Sequence, residues 1–142
     1  MKLLSTELQP IELMQLRFTA QSEGDFVSIY QSSHRLSTLC RSFPTLQSYL
    51  DFAALELCDQ ITITAFELLA EQLLGKKAYV LCKVSMTVQN VSETFIEVAQ
   101  LQRSVSGWRF LHCARLPMAL LPADPGSIDM KQLFSDPAAI VY

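Results

Sequence analysis

The sequence predicts an α+β fold, in which N-terminal helices pack on a strongly curved antiparallel sheet and an irregular, proline-rich tail follows. Helical spacing dominates the first third of the chain, whereas three strand-like segments joined by short turns occupy residues 78–113. Beyond Leu116 the pattern changes, because four of the six prolines lie there. We therefore expect one cone-shaped domain over residues 1–116 and a tail with a short helical turn over residues 117–142.

The first third contains start and stop signals for three helices. Thr6 and Gln9 have the spacing of a capping box. The apolar stripe that follows ends at Gly24, which tolerates the left-handed conformation of a helix end. Asp25 is placed to cap a second short helix. A serine-rich stretch then predicts a loop with one helical turn, and apolar residues at spacings of three and four predict a third helix from about Pro44.

Period-two alternation identifies the strands. In Ala78–Val88 every second side chain is apolar, so one face of the sheet is buried and the other is partly exposed. Ile61–Ala65 alternates in the same way, but the phase then shifts by one residue, which predicts a β-bulge near Ala65. Two further strands are expected over Thr94–Arg103 and Trp108–Cys113, separated by a turn at a Ser-Gly pair.

The composition excludes some partners and leaves others open. Half of the residues are hydrophobic and 18% are charged, against about 25% in typical soluble domains, so the surplus apolar surface needs an internal pocket or a partner. A net charge of −3 and scattered basic residues argue against nucleic acid. Because no segment has the length and apolar character of a transmembrane helix or a signal peptide, we expect a cytoplasmic protein without membrane contact.

The four cysteines, Cys40, Cys58, Cys82 and Cys113, include no closely spaced pair. A structural zinc site typically uses such pairs, so we expect free, reduced thiols, with a disulfide or metal role as the less favoured alternative. Cys82 lies on the apolar face of its predicted strand, where a thiol acts as a small hydrophobic side chain. No bound metal or cofactor is therefore predicted.

The order and spacing of six short segments carry a family resemblance. These segments are Leu13–Ala20, Gly24–Phe26, Ile61–Leu68, Ala78–Met86, Phe95–Glu97 and Gly107–Phe110. Together they resemble the central domain of the YchJ family over about residues 10 to 115. The resemblance implies the nuclear-transport-factor-2-like architecture, also called cystatin-like, in which helices pack on a curved sheet to form a cone.

Two departures limit what the resemblance implies. YchJ-type proteins usually have cysteine-rich SEC-C zinc motifs beside this domain, but residues 1–9 and 117–142 contain no cysteine. Zinc binding is therefore not carried over. The family also tends to place a histidine after the second helix, where this chain has Ser32 or Ser33 and an offset His34. The family has no established reaction to transfer to this chain.

The interior of the predicted cone is the candidate site. Trp108, Phe110 and His112 alternate along the last strand, so we expect them on one face of the sheet. Phe18 and Tyr30 lie on the helices that should cover this face. We therefore predict a ligand pocket formed by Phe18, Tyr30, Trp108 and Phe110.

His112 and Glu97 are the candidate catalytic residues, with Glu67 as an alternative carboxylate. The implied superfamily includes isomerases and dehydratases, in which burial brings the pKa of a histidine or a carboxylate toward the working pH. The alternative for each of these residues is a structural role without catalysis. Glu97 would lie on the outer surface, paired with an arginine of a partner chain, if its apolar neighbours face the core. Arg17 is expected to cap a helix end or to pair with a carboxylate.

Two classes of function remain. The first is a non-catalytic domain that binds a small apolar ligand or a protein partner. It would form a homodimer through the outer face of the sheet, where Tyr79 and Leu81 form an apolar patch. The second is a small isomerase, dehydratase or hydrolase that uses a pocket histidine and a carboxylate for proton transfer. A filled interior favours the first class, and an open cavity with His112 and a carboxylate favours the second.

Overall fold

The computed structural model describes residues 8–56 and 61–142. In these residues, four helices precede an open five-stranded antiparallel sheet whose strand order follows the chain, which confirms the predicted α+β order. The helices are α1 (Pro10–Glu23), α2 (Phe26–Gln31), α3 (Thr38–Ser42), α4 (Leu46–Glu56) and, after the long strands, α5 (Met130–Phe134). The strands are β1 (Ile61–Leu74), β2 (Lys77–Val88), β3 (Val91–Ser104), β4 (Gly107–Leu116) and β5 (Ile140–Val141). Among the helices described, none is long and apolar enough to cross a membrane.

The helix ends follow local capping signals. The N–H of Gln9 donates to Oε1 of Glu12 at 2.9 Å, so the observed capping box begins three residues later than the predicted pair. Thr6, the other member of that predicted pair, lies outside the described residues. Gly24 ends α1 with a φ of 69°, as predicted. Asp25 caps α2, as predicted, because its carboxylate accepts a backbone N–H of the first helical turn.

Irregular pairings decide which face of the sheet each side chain occupies. The register of β1 against β2 shifts between Ile63 and Ala65, which confirms the predicted bulge. A second shift in β1, between Leu68 and Ala70, was not predicted from the sequence. The pairing of β3 with β4 is also irregular, and Leu111 is the additional residue there. Each additional residue exchanges the two faces for the part of the strand that follows.

One face of the sheet, here called the helix face, is covered by α1. Met14 and Phe18 are almost wholly buried and pack against even-numbered residues of β2. Among these, Val80 and Val84 are 0% and 1% exposed, so the predicted buried face is confirmed. Phe18 also stacks on Phe66 of β1, with ring centres 5.1 Å apart. The part of the predicted interior that lies under α1 is therefore occupied by packed side chains.

The opposite face, here called the tail face, is covered by the C-terminal tail. Met130 and Leu133 of α5 belong to one apolar cluster with Tyr79 and Leu81 of β2. Tyr79 and Leu81 are 3% and 0% exposed. The N–H of Met130 donates to Oε1 of Gln72 at 3.1 Å, which fixes the start of α5 on β1. The apolar patch that suggested a homodimer is therefore occupied by the same chain and is not a free surface.

The end of the tail adds a short strand to the edge of β4. Ala114 pairs with Val141, and Arg115 pairs with Ile140. The tail thus contains a short helix, α5, where the sequence predicted a short helical turn, and a strand, β5, that the sequence did not predict. The tail crosses the tail face and ends beside β4. There β5 bonds to backbone groups of β4 that are not used in the pairing with β3.

Candidate functional site

Backbone hydrogen bonds attach the loop between α2 and α3 to β4. The N–H of Phe110 donates to the carbonyl oxygen of Ser32 at 2.8 Å, and the N–H of His34 donates to the carbonyl oxygen of Phe110 at 2.7 Å. Ser33 and Phe110 thereby form a short parallel bridge. This attachment brings the side chains that follow Ser32 next to β4, and one of them, Arg35, lines two clefts.

Arg17 supports this attachment from inside the protein. Its Nη1 donates to the carbonyl oxygen of Ile29 at 2.9 Å and to the hydroxyls of Ser32 and Ser33 at 2.6 and 3.0 Å. Burial lowers the pKa of Arg17 to about 10, so the guanidinium is still charged at neutral pH. Arg17 therefore caps the end of α2, which is one of its two predicted roles. No local sequence signal predicts the two serines as its partners.

The first cleft, here called the Tyr30 cleft, lies between the α2–α4 region and β4. Its volume is about 750 Å³. The hydroxyl of Tyr30 donates to the carbonyl oxygen of Phe43 at 2.6 Å, which fixes the ring at the wall of the cleft. Burial, together with nearby Cys40, raises the pKa of Tyr30. The residues that line the cleft are Tyr30, Gln31, Ser33, Arg35, Cys40, Pro44, Leu46 and Arg109.

The lining of the Tyr30 cleft combines apolar surface with positive charge. Pro44 and Leu46 supply apolar walls, and Tyr30 supplies an aromatic one. Arg109 is half-buried, and burial lowers its pKa. Its Nη1 donates to the carbonyl oxygen of Trp108 at 2.7 Å, which orients the guanidinium. The described lining residues include no carboxylate and no imidazole. Such a lining suits binding of an anionic group more than proton transfer.

The four predicted pocket residues do not share one cleft. Phe18 is buried in the core under α1. Tyr30 lines the Tyr30 cleft, whereas Trp108 is 7% exposed and belongs to the core of the helix face. Phe110 lies against Arg17 and lines a separate apolar cleft of about 320 Å³. Arg35 and Arg109 were missed as site residues, because no sequence signal brings a loop arginine and a strand arginine together.

The predicted alternative for Glu97, a position on the outer surface paired with an arginine of a partner chain, is wrong. Its strand position is on the helix face, and it is 8% exposed, so it does not lie on an outer surface. Its Oε1 lies 3.7 Å from Nη2 of Arg115 of the same chain. Burial raises the pKa of Glu97, and the guanidiniums of Arg115 and Arg17 partly oppose this rise. Arg115 itself lies over the Phe95 ring, 4.0 Å from its centre.

His112 is on the other face of the sheet. It pairs with Gln100, whereas Phe110 pairs with Leu101, because Leu111 is an additional residue in β4. The expectation that Trp108, Phe110 and His112 share a face was therefore wrong for His112. Glu97 lies on the helix face, so the register separates it from His112.

The pairing of β1 with β2 also shows the position of Glu67, the alternative catalytic carboxylate. Glu67 is exposed and lies opposite Lys83 in the neighbouring strand. The opposite charges of this cross-strand pair give Glu67 an ordinary surface role. Its position on an exposed part of β1 separates it from the packed interior under α1.

Potential metal ligands and thiols are dispersed or buried in the described part of the chain. Residues 8–56 and 61–142 contain no group of three or more His, Cys, Asp or Glu side chains placed to bind a metal ion. Cys82 and Cys113 are buried free thiols, and burial raises the pKa of each well above its ordinary value. Cys40 is partly buried and also free. Cys58 lies outside the described residues.

Comparison with known proteins gives a fold but no family. No protein-family profile matches the chain, and no curated protein matches it either. Solved structures do match. A SEC-C motif-containing protein from Rhodopseudomonas palustris has a TM-score of 0.54 at 16% identity, and the match covers 72% of this chain and 74% of that one. A SEC-C motif-containing protein from Psychrobacter arcticus has a TM-score of 0.54 at 15% identity, with 90% and 67% covered.

A third solved structure has the same overall arrangement. It is a domain from Exiguobacterium sibiricum, provisionally described as a Ca/calmodulin-dependent kinase II association domain. Its TM-score is 0.53 at 16% identity, and the match covers 87% of this chain and 99% of that chain. At these identities the three structures show a shared fold and nothing about activity. The neighbours that contain SEC-C motifs agree in part with the resemblance noted from the sequence.

Proposed function

We propose that this domain is a non-catalytic binder of a small molecule, and that the Tyr30 cleft is its binding site. The observation that carries the proposal is the lining of the cleft, where the apolar Pro44 and Leu46 accompany the guanidiniums of Arg35 and Arg109. A volume of about 750 Å³ is in the range of small-molecule sites. The ligand that this lining fits has an apolar body and one anionic group, such as an aromatic carboxylate.

An enzyme of the isomerase, dehydratase or hydrolase kind is the alternative, and it has less support. Proton transfer by a dyad needs the two groups within hydrogen-bond reach of one substrate. His112 and Glu97 belong to opposite faces of the sheet, and Glu67 is exposed beside Lys83. The interior under α1, where such a reaction was expected, is filled by side chains such as Met14 and Phe18.

The proposal includes a nuclear-transport-factor-2-like cone related to the central domain of the YchJ family. The helices before the sheet support this relationship, as does the fold shared with two SEC-C motif-containing proteins. Self-association also stays a proposal, and one structural neighbour is described as an association domain. A homodimer would have to use a surface other than the Tyr79 and Leu81 patch. Light scattering at micromolar concentration tests it, and a strict monomer would remove it.

Calorimetric titration of a panel of aromatic carboxylates tests the binding site. We expect at least one compound to bind with a dissociation constant of about 100 μM or below, and Arg109→Gln to weaken it about tenfold. Arg41→Gln is the matched control, because Arg41 is exposed on α3 and does not line the cleft. Absence of binding up to about 1 mM, or equal binding by the Arg109 variant, would contradict the proposal.

A further inference from the structure

A second cleft brings together the two histidines of the chain. It has a volume of about 690 Å³ and is called the histidine cleft here. Three segments form it: the loop after α2, the end of β3 and the middle of β4. The residues that line it are His34, Arg35, Leu36, Gln102, Arg103, Ser104, Val105, Leu111 and His112. Except for Arg35, this set is different from the lining of the Tyr30 cleft.

The charged side chains that line the histidine cleft are all basic. Arg35 and Arg103 line it together with the two imidazoles, and the lining residues that the structure describes include no Asp or Glu. Among the described residues, the ion pair with a nitrogen–oxygen distance within 4.0 Å joins Arg115 to Glu97. Neither Arg35 nor Arg103 therefore has a carboxylate partner among those residues. This concentration of positive charge occurs in a protein whose net charge is −3. Gln102 adds a neutral hydrogen-bond donor, whereas the hydroxyl of Ser104 already donates to the carbonyl oxygen of Gly107 at 3.0 Å.

The additional residue Leu111 is what completes this cleft. In a regular pairing of β3 with β4, His112 would be on the same face as Phe110, which lies against Arg17. The observed register instead pairs His112 with Gln100 and leaves it beside the loop that contains His34. The N–H of His34 is meanwhile bonded to the carbonyl oxygen of Phe110, so the two imidazoles are held by neighbouring backbone positions.

We propose that the histidine cleft binds a small multivalent oxyanion, bearing phosphate or sulfate groups. Two guanidiniums provide the permanent charge, and guanidinium geometry matches the oxygens of such groups. Nδ1 of His34 accepts the N–H of Leu36 at 3.1 Å, so the neutral ring keeps its own proton on Nε2. His34 is thus a hydrogen-bond donor at neutral pH.

The basic side chains that line the cleft come from three segments. Arg35 comes from the same loop as His34, and His112 comes from β4. Arg103 comes from β3, where its guanidinium carbon lies 5.8 Å from the centre of the Trp108 ring. Burial and the neighbouring Arg35 lower the pKa of His34, so its protonation is unfavourable in the empty cleft.

Calorimetric titration with inositol hexasulfate tests the proposal. The sulfate groups of this probe are fully ionised at neutral pH, so they can accept hydrogen bonds from guanidiniums. We expect a dissociation constant of about 100 μM or below at neutral pH. Arg103→Gln should weaken binding about tenfold, because it removes one of the two guanidiniums.

Matched controls separate this site from general electrostatic attraction. Arg41→Gln removes one exposed charge outside the cleft and should bind the probe as the wild type does. Absence of binding up to about 1 mM, or equal weakening by Arg41→Gln and Arg103→Gln, would overturn the proposal. Co-sedimentation with vesicles that contain an inositol phospholipid distinguishes a lipid headgroup from a free compound. Vesicle binding that Arg103→Gln abolishes would identify the oxyanion as a headgroup.

Discussion

The guanidinium carbon of Arg17 lies 4.0 Å from the centre of the Phe110 ring. This contact joins α1 to β4 through the interior of the protein. The hydrogen bonds of Arg17 to Ser32 and Ser33 extend the connection to the loop whose backbone is bonded to Phe110. The cation–π pair of Arg17 with Phe110 therefore supports the loop that lines both clefts. The stability of the fold and the geometry of the two candidate sites both depend on Arg17.

Replacing Arg17 should destabilise the protein. Arg17→Met keeps an unbranched side chain but removes the donor to Ile29, Ser32 and Ser33 and the charge over Phe110. We expect the free energy of unfolding, measured in urea, to fall by about 2 kcal/mol. Arg17→Lys should recover little, since an ammonium group cannot reproduce the planar contacts of a guanidinium. Arg41→Met, at an exposed position, should change stability by less than about 0.5 kcal/mol. An Arg17→Met variant as stable as this control would contradict the proposed role.

The tail should contribute to stability through α5. Met130 is 2% exposed in the cluster of the tail face, so Met130→Ala removes buried methylene and methyl groups and leaves a cavity. We expect a loss of about 3 kcal/mol in the free energy of unfolding. Lys131→Ala is the control from the same helix, since Lys131 is exposed. Equal stability of the two variants would mean that the tail does not dock in solution.

The described cysteines should differ in reactivity under native conditions. Cys40 is partly exposed, whereas Cys82 and Cys113 are buried and their thiols have raised pKa values because of that burial. We expect iodoacetamide to label Cys40 at least about 100-fold faster than the other two, as followed by mass spectrometry of the peptides. In denaturing guanidinium the three should react at similar rates. Fast native labelling of Cys82 would show that the helix-face core is open.

The ionisation of Glu97 should make the stability of the protein depend on pH. Its pKa in the folded protein is raised, chiefly by burial. A raised folded-state pKa contributes stability that is fully present below the unfolded-state pKa and is lost as the pH rises through the folded-state value. Glu97→Gln should therefore gain stability relative to wild type as the pH increases above about 4.5, by at most about 1.4 kcal/mol per pH unit.

Denaturation at several pH values measures this difference between Glu97→Gln and the wild type. Thr94→Ala, at an exposed and non-ionisable position on the same strand, provides the reference. Its stability difference from the wild type should not vary with pH. A Glu97→Gln difference that is equally flat, or that decreases as the pH rises, would show that the Arg115 and Arg17 charges outweigh the burial of the carboxylate.

Alternation and capping signals predicted most of the fold. The apolar side of β2, the end of α1 at Gly24 and the bulge near Ala65 could all be recognised locally, because each depends on residues adjacent in the chain. The bulge at Leu111 could not. Trp108–Cys113 mixes apolar and polar residues, so the face of His112 is not defined by the pattern alone. Only pairing with β3 shows which face each side chain occupies.

By itself, the sequence determined the order of helices and strands and the identity of the buried side of β2, since both follow from short-range periodicity. Tertiary structure alone decided that the tail covers Tyr79 and Leu81, and that Arg35 shares one cleft with Arg109 and another with His112. These residues are far apart in the chain. Their proximity results from the packing of the loop and the tail on the sheet, which no local pattern records.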